Sequence, residues 1–286
     1  MSVKAIHDVP APAKLNLFLH VLGRREDGYH LLQSVFALID WCDTLHFERR
    51  DDGRVERHDL AAELPADDLC LRAARLLRSE SGTTAGADIS IDKRVPWGAG
   101  LGGGSSDAAS TLIALNRLWG LHWPRDRLLA LGLRLGADVP FFIGGSNAWV
   151  EGVGEALTPI ELAPRWWAVL KPAATVSTAD IFASPHLVRN TAAATISDFA
   201  ADPLGFGRND LQERAEAHCG EVGKALALLR DRFGASRMSG SGSAVFADAG
   251  SGESPKATME GLVLAPSWVG RLCRGLVRHP LAEWSD

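Results

Sequence analysis

The stretch Pro96-Trp97-Gly98-Ala99-Gly100-Leu101-Gly102-Gly103-Gly104-Ser105-Ser106-Asp107-Ala108-Ala109-Ser110 places five glycines in seven positions, between a strand-like segment and a helix-like one. Gly98, Gly100 and Gly103 match the Gly-x-Gly-x-x-Gly spacing of dinucleotide-binding loops. The surroundings do not fit that reading. A Rossmann unit needs a buried apolar strand before the loop, a second strand after the helix and an acidic residue about 20 positions on. Here the preceding segment, residues 87–95, carries Asp88, Ser90 and Asp92 in alternation, and the helix is followed by another helix opening at Pro124. A Walker loop ends in Gly-Lys-Ser/Thr, and this one closes Gly104-Ser105-Ser106 with no lysine. What remains is an anion cradle of another kind. Glycines let backbone N–H groups converge, and a helix beginning near Ser105 adds its positive end. Each glycine costs about 0.5–1 kcal/mol of extra chain entropy against alanine, which a plain connector has no reason to carry.

Outward from the loop, Leu15, Leu17 and Leu19 alternate with Asn16, Phe18 and His20 over residues 13–22, as in a strand. A charged turn at residues 23–28 leads to a second apolar segment, strand or short helix, and residues 43–47 read as a further strand. Asp67 and Asp68 precede a helix over 69–81 with Leu69, Ala73, Leu76 and Leu77 on one face. The helix after the glycine loop carries Ala108, Leu112, Leu115 and Leu118 on one side and stops at Gly120. Phe141-Phe142-Ile143 and residues 147–152 read as strands. A break around Pro159 to Pro164 precedes a fresh strand at 166–172. Residues 191–203 read as an alanine-rich loop, and helices follow near 210–218 and 222–233. Residues 236–248 read as strand, glycine–serine turn and strand. Mixed elements without a regular βαβ rhythm predict an α+β fold. Two domains are expected, 1–160 with the glycine loop and 161–286 contributing to a substrate site.

The formal net charge of −5 over 286 residues argues against non-specific binding to nucleic acid or an anionic membrane, so an anionic ligand must be met by local groups. Cys42, Cys70, Cys219 and Cys273 are far apart, without a CxxC pair, and the nine histidines show no HExxH spacing. Reduced thiols and no resident metal site are expected. Asp8, Pro10 and Pro12 sit where a secretory signal needs an apolar core, and no run approaches the roughly 20 apolar residues of a membrane span. A soluble cytoplasmic protein, monomer or weak homodimer, is the expectation.

The glycine stretch resembles the second motif of the GHMP kinase superfamily, Pro-x-x-x-Gly-Leu-Gly-x-Gly/Ser-Ser. The resemblance extends, in order, to APAKLNLFLHVLGRREDGYHLLQSVFALIDWCDTL, LGADVPFFIGG, Asn209-Asp210-Leu211 and SRMSGSGSAVF, and so covers roughly residues 11–248. Those segments are similar to the branch acting on a cytidine diphosphate-linked methylerythritol, a small-molecule substrate. The resemblance implies an N-terminal domain like ribosomal S5 domain 2, a ferredoxin-like C-terminal domain, and phosphorylation of a tertiary 2-hydroxyl by ATP with Mg²⁺. It assigns Pro96 through Ser106 to the ATP phosphates and Lys14 and Asp138 to catalysis. Tyr29, His30 and Phe182 would hold the cytosine, with Asn16 near the substrate.

Elementary chemistry bears on each residue. Phosphoryl transfer asks for positioning and charge stabilisation, and a hydroxyl acceptor needs a base, which a carboxylate such as Asp138 supplies. Its alternative role is to cap the Gly136–Pro140 turn. Lys14 is one of only six lysines against 24 arginines and stands in an apolar strand start. An ammonium there would keep a nearby carboxylate ionised, and the alternative is a surface lysine. Tyr29 is the only tyrosine, and with His30 it could stack on and hydrogen-bond a pyrimidine or simply pack in the core. Residues 239–243 suit either a loop closing over a ligand or an ordinary hairpin. Asp107, in the first turn of the helix, suits the helix dipole but repels phosphate, so helix stabilisation and a water-mediated contact to Mg²⁺ both stay open. Asp68 stands where the family often has Asn. Kinases of other small alcohols, such as mevalonate or homoserine, are the rival reading, and a nucleotide-binding regulator without turnover is the third.

Overall fold

The computed structural model describes residues 3–61 and 63–284. The alternation around Leu17 belongs to a much longer element than residues 13–22: β1 (Ala5–Arg24) pairs antiparallel with β2 (His30–Arg50) through a turn in which Gly28 takes φ +90°. The apolar segment after Tyr29 and the expected strand at 43–47 are one continuous strand. Register shifts at Ile6/Val9, Pro12/Ala13, Asn16/Leu19 and Val21/Gly23 explain the misreading. Each bulge reverses which side chains face the core, so nearly every residue from Val9 to Val21 is buried and no single period survives.

Around this hairpin, β3 (Val55–Asp59), β4 (Gly86–Asp92), β5 (Ala148–Glu151) and β6 (Ala156–Pro159) complete a six-stranded sheet of order β3-β4-β2-β5-β6, with β1 on β2 and only β3/β4 parallel. The helices α1 (Leu69–Ser81), α2 (Gly103–Leu118), α3 (Arg125–Leu133) and α4 (Val139–Gly144) pack against it. Asp68 caps α1 by accepting the Leu71 N–H at 3.0 Å. α2 runs through the middle of the domain and is buried on all sides from Ser106 to Asn116, wider than the single apolar face its sequence suggests. The Phe141-Phe142-Ile143 run is α4 rather than a strand. Pro140 opens it, Gly145 closes it at φ +76°, and Phe141 sits edge-on to Phe36 at 5.2 Å. A short apolar run carries no period that separates the two.

The second sheet is β7 (Arg165–Lys171), β8 (Arg237–Met238), β9 (Val245–Ser251) and β10 (Val269–Arg274), antiparallel in the order β10-β7-β9-β8. Numbered within this sheet the order is 4-1-3-2, that of a ferredoxin-like fold. Its first crossover carries α5 (Thr178–Ala183), α6 (Ile196–Ala201), α7 (Gln212–His218) and α8 (Gly220–Phe233), whereas the second, residues 252–268, holds only turns. α6 lies within the expected alanine-rich loop. Thr195 and Asp198 form a reciprocal capping box, and Phe199 buries against Phe18 and Trp149. The chain is thus a two-domain α+β fold. No described helix is long and apolar enough to cross a membrane.

Beyond β10 the chain returns to the first sheet. Gly275 bridges Ile39, Arg278 bridges Ser146, and Leu281 is buried in the N-terminal core. Asn147 holds this return in place by accepting the Leu38 N–H at 2.8 Å and donating to the Leu276 carbonyl at 2.9 Å. Asn147→Ala leaves two backbone groups without partners, and urea unfolding is expected to show a loss of about 2–4 kcal/mol.

Candidate active site

The glycine loop joins β4 to α2 with Gly98, Gly100 and Gly102 all left-handed, at φ +57°, +73° and +71°. Gly102 is itself the N-cap of α2 and provides no side chain to the first turn, so the leading N–H groups of the helix stay open to an anion. A second glycine-rich segment, residues 239–243, stands directly behind the loop. A Cβ on Gly100 would clash with the Ser239 carbonyl oxygen. The Ser239 hydroxyl donates to the Gly100 carbonyl at 3.0 Å and accepts the Asn16 N–H at 3.1 Å, and the Ala244 N–H donates to the Ala99 carbonyl at 3.0 Å. Asn209 ties the segment down by donating to the carbonyls of Met238 and Gly240 at 2.8 and 2.7 Å. Residues 239–243 therefore brace the loop from the other domain.

Two cavities share this loop as a wall. One, of about 430 Å³, lies over the loop and the start of α2 and is bounded by Leu64, Asp68, Leu69 and Lys93. The other, of about 300 Å³, holds Lys14, Asn16, Ser34, Phe36 and Asp138, and Gly98, Gly100 and Gly102 line both. A third cavity of about 400 Å³, with Arg24, Tyr29 and His30, continues from the second through Leu32, Val153 and Phe182. A separate apolar groove of about 380 Å³ among Leu17, Trp167, Phe199 and Leu276 contains none of the expected site residues.

Within the middle cavity the Lys14 ammonium, 5 % exposed, lies 3.4 Å from Asp138 Oδ2, donates to Asn16 Oδ1 at 2.6 Å and sits over the Phe36 ring at 4.2 Å. Asp138 holds the N-cap position of α4 without a side-chain cap bond, so its carboxylate, 32 % exposed, faces Lys14 and the cavity instead of the turn. Asn16 donates onward to the Ser34 hydroxyl at 2.9 Å, which fixes the amide and with it the lysine. Lys14, Asn16 and Asp138 are brought together with the glycine loop. Tyr29, His30 and Phe182 gather in the neighbouring cavity.

There Tyr29 is 64 % exposed at the β1–β2 turn, while His30 is buried with its ring 4.8 Å from that of Phe182 and tilted by 30°. Sequence reading missed Arg189, which donates to His30 Nε2 at 3.0 Å and to the carbonyls of Phe182, Ser184 and Leu187 at 2.8, 2.7 and 3.1 Å. A guanidinium only donates, so His30 Nε2 is the bare nitrogen and the neutral ring carries its proton on Nδ1. Nothing local could signal Arg189, because its partner lies on a strand of the other domain. Asp68 also lines the loop cavity, where it pairs with Arg57 at 2.8 Å. Asp107 Oδ2 is taken by Lys93 at 2.6 Å. Among the described residues Glu56, His58 and Asp88 stand close enough to hold a metal ion, but Arg50 donates to Asp88 at 2.9 Å and Glu56 at 3.4 Å, which makes the group an ion-pair network.

Residues 68–146 match the GHMP kinases N terminal domain and residues 192–257 match the GHMP kinases C terminal family. The chain is 77% identical, over its whole length and that of the relative, to the 4-diphosphocytidyl-2-C-methyl-D-erythritol kinase of Methylibium petroleiphilum. The chain belongs to the GHMP kinase family, in the branch of the 4-diphosphocytidyl-2-C-methyl-D-erythritol kinases. The enzyme of that name from Ralstonia nicotianae is 57% identical over 98% of this chain and 97% of its own. A crystal structure of 4-(cytidine 5'-diphospho)-2C-methyl-D-erythritol kinase superposes with a TM-score of 0.79 at 35% identity, covering 93% of this chain and 98% of that one. The first and second cavities share Gly98, Gly100 and Gly102 as lining, and the second and third share Leu32, Val153 and Phe182.

Burial, then the cationic charges of Arg189 and Arg24, hold the His30 pKa below the ordinary histidine value. Arg189→Met removes one of those charges, so His30 is expected to titrate at higher pH, measured by NMR of its ring nitrogens.

Proposed function

We propose that this chain transfers the γ-phosphoryl group of ATP to the 2-hydroxyl of 4-diphosphocytidyl-2-C-methyl-D-erythritol, in the non-mevalonate route to isoprenoid precursors. The observation that carries this reading is the Lys14–Asp138 pair, 3.4 Å apart, in a cavity that shares Gly98, Gly100 and Gly102 with the loop cavity. The loop N–H groups and the positive end of α2 hold the triphosphate, with Pro96 through Ser106 as the binding segment. Magnesium arrives with the triphosphate as part of the co-substrate and draws charge from the phosphate oxygens. The acceptor hydroxyl gives its proton to the Asp138 carboxylate, its oxygen bonds to the γ-phosphorus, and the bond to ADP breaks in line. Lys14, 3.4 Å from the Asp138 carboxylate, meets charge developing on the transferred group. Asn16 positions that ammonium through its 2.6 Å hydrogen bond.

The cytidine end takes the third cavity. Tyr29 and Phe182 offer aromatic faces, and His30 offers an Nδ1–H donor to an acceptor on the base edge. Cytosine presents an unprotonated N3, whereas uracil carries a hydrogen there, so the locked tautomer favours cytosine. Kinases of mevalonate or homoserine have no use for such a cavity, which sets this reading above theirs. The intact Lys14–Asp138 pair likewise favours turnover over a purely regulatory role. We place the domain boundary at residue 160, between β6 and β7, and take the enzyme to work in the cytoplasm as a monomer or weak homodimer.

An assay of MgATP with a panel of alcohols, reading ADP, tests the assignment. The cytidyl substrate is expected to give turnover and mevalonate or homoserine none. ADP from another alcohol and not from the cytidyl substrate would overturn it. Asp138→Asn is expected to lose about 10²–10⁴-fold in kcat while still binding ATP; a near-normal rate would remove Asp138 as the base. A uridine-linked substrate is expected to show a KM raised about ten-fold or more, in the range of one lost polar contact.

A further inference from the structure

The helix α2 starts at Gly103, so Asp107 is its fifth residue and lies beyond the first turn where the sequence placed it. Behind the start of α2, Asp43 of β2, Lys93 and Asp107 form a buried cluster that the phosphoryl-transfer scheme does not use. The Lys93 ammonium donates to Asp107 Oδ2 at 2.6 Å and, at still closer range, to Asp43 Oδ2. Asp43 is fully buried and Asp107 is 2 % exposed. Among the described residues one cation faces these two buried carboxyl groups, and protonation of one of them relieves the excess negative charge. The two carboxyl groups differ in the donors they accept. Asp43 accepts three donors, the ammonium and the N–H groups of Arg94 and Val95 at 2.6 and 2.7 Å. Asp107 accepts only the ammonium, and its Oδ1 is buried with no partner.

The other groups around Asp107 do not alter that balance. α1 presents the Cys70 thiol, which burial keeps protonated, and α2 presents the unpartnered Ser106 hydroxyl. Burial pushes the Asp107 pKa up to about 8, with Lys93 opposing and Asp43 assisting. Burial works against the Lys93 ammonium, but its partners Asp107 and Asp43 overcome it and raise its pKa above the ordinary lysine value. Lys93 and Asp107 both line the cavity over the glycine loop, and a Cβ on Gly103 would lie 3.1 Å from the ammonium. The cluster therefore sits directly under the segment read above as the phosphate cradle.

We propose that Asp107 is held as a neutral carboxylic acid, so that the cluster carries no net charge and α2 meets the ATP phosphates with its positive end uncancelled. Asp107 is a positioning residue in this scheme and does not touch the reacting atoms. The inference rests on the reading of the loop as the ATP site. It removes the conflict of an acidic side chain placed beside a polyphosphate. As pH rises through the Asp107 pKa the cluster becomes singly negative, and a charge at that depth repels the phosphates with little screening.

The test compares wild type with Asp107→Asn, whose amide has the shape of the neutral acid. Affinity for MgADP and KM for MgATP are measured from about pH 7 to about pH 9.5, spanning the shifted carboxyl. Wild type is expected to weaken roughly ten-fold across that range. Asp107→Asn is expected to lack the rise and, at the alkaline end, to bind nucleotide about ten-fold tighter than wild type. An equal rise in both proteins would overturn the proposal. An infrared difference titration of the ligand-free protein reads the proton directly. A protonated-carboxyl band should be present near neutral pH, lost at the alkaline end and absent from Asp107→Asn. Absence of that band from wild type would overturn the proposal even with ATP binding intact. A wild type that keeps the band but binds no nucleotide would instead overturn the reading of the loop.

Discussion

Gly100 and Ser239 touch backbone to backbone, and a methyl group at Gly100 could not be inserted between them. That approach joins the two domains at the point where the reaction is proposed to occur. The loop of the first domain is held open on its ligand side because its back is occupied: Ser239 bonds Gly100 and Asn16, Ala244 bonds Ala99, and Asn209 anchors the bracing segment. Lys14 follows from the same contact, since its own N–H donates to the Leu101 carbonyl at 2.9 Å. The glycines thus serve close packing as well as the anion binding proposed for them, and the rigidity of the loop comes from its neighbour.

Charge in this site is kept in small closed groups. Lys14 is shared by Asp138, Asn16 and the Phe36 ring, and Lys93 is shared by Asp43 and Asp107. Both ammonium groups are buried, so their partners are strongly felt and poorly screened. An acidic protein of net charge −5 can in this way leave the N–H groups of the proposed phosphate loop open while both local cations stay paired within the site.

Much of the architecture was legible in the residues, with errors where local signals are weakest. The helix after the glycine loop, the Asp68-capped helix and the strand–turn–strand at 236–248 stand as expected, because caps, glycine stops and periodicity agree there. Bulges hid the length of the first hairpin, a six-residue helix passed for a strand, and a capping box inside an alanine-rich run passed for a loop. The last element, β10, carries an alternation too short to read, and its pairing with β7 joins residues 98 to 108 positions apart.

By itself the sequence determined that this chain has a glycine-rich loop opening a helix, an acid in a tight Gly136–Pro140 turn, a lone lysine in an apolar strand and an aromatic pair after a turn. These are local facts, written in spacing and residue type. Only the tertiary structure decided that Lys14 faces Asp138, that residues 239–243 brace the loop, that Arg189 sets the proton on His30 and that Asp107 shares one lysine with Asp43. Each of these depends on groups 14 to 223 residues apart being held within hydrogen-bond reach. Distance in space, burial and the number of donors on a carboxylate arise from packing, and no local pattern of residues encodes them.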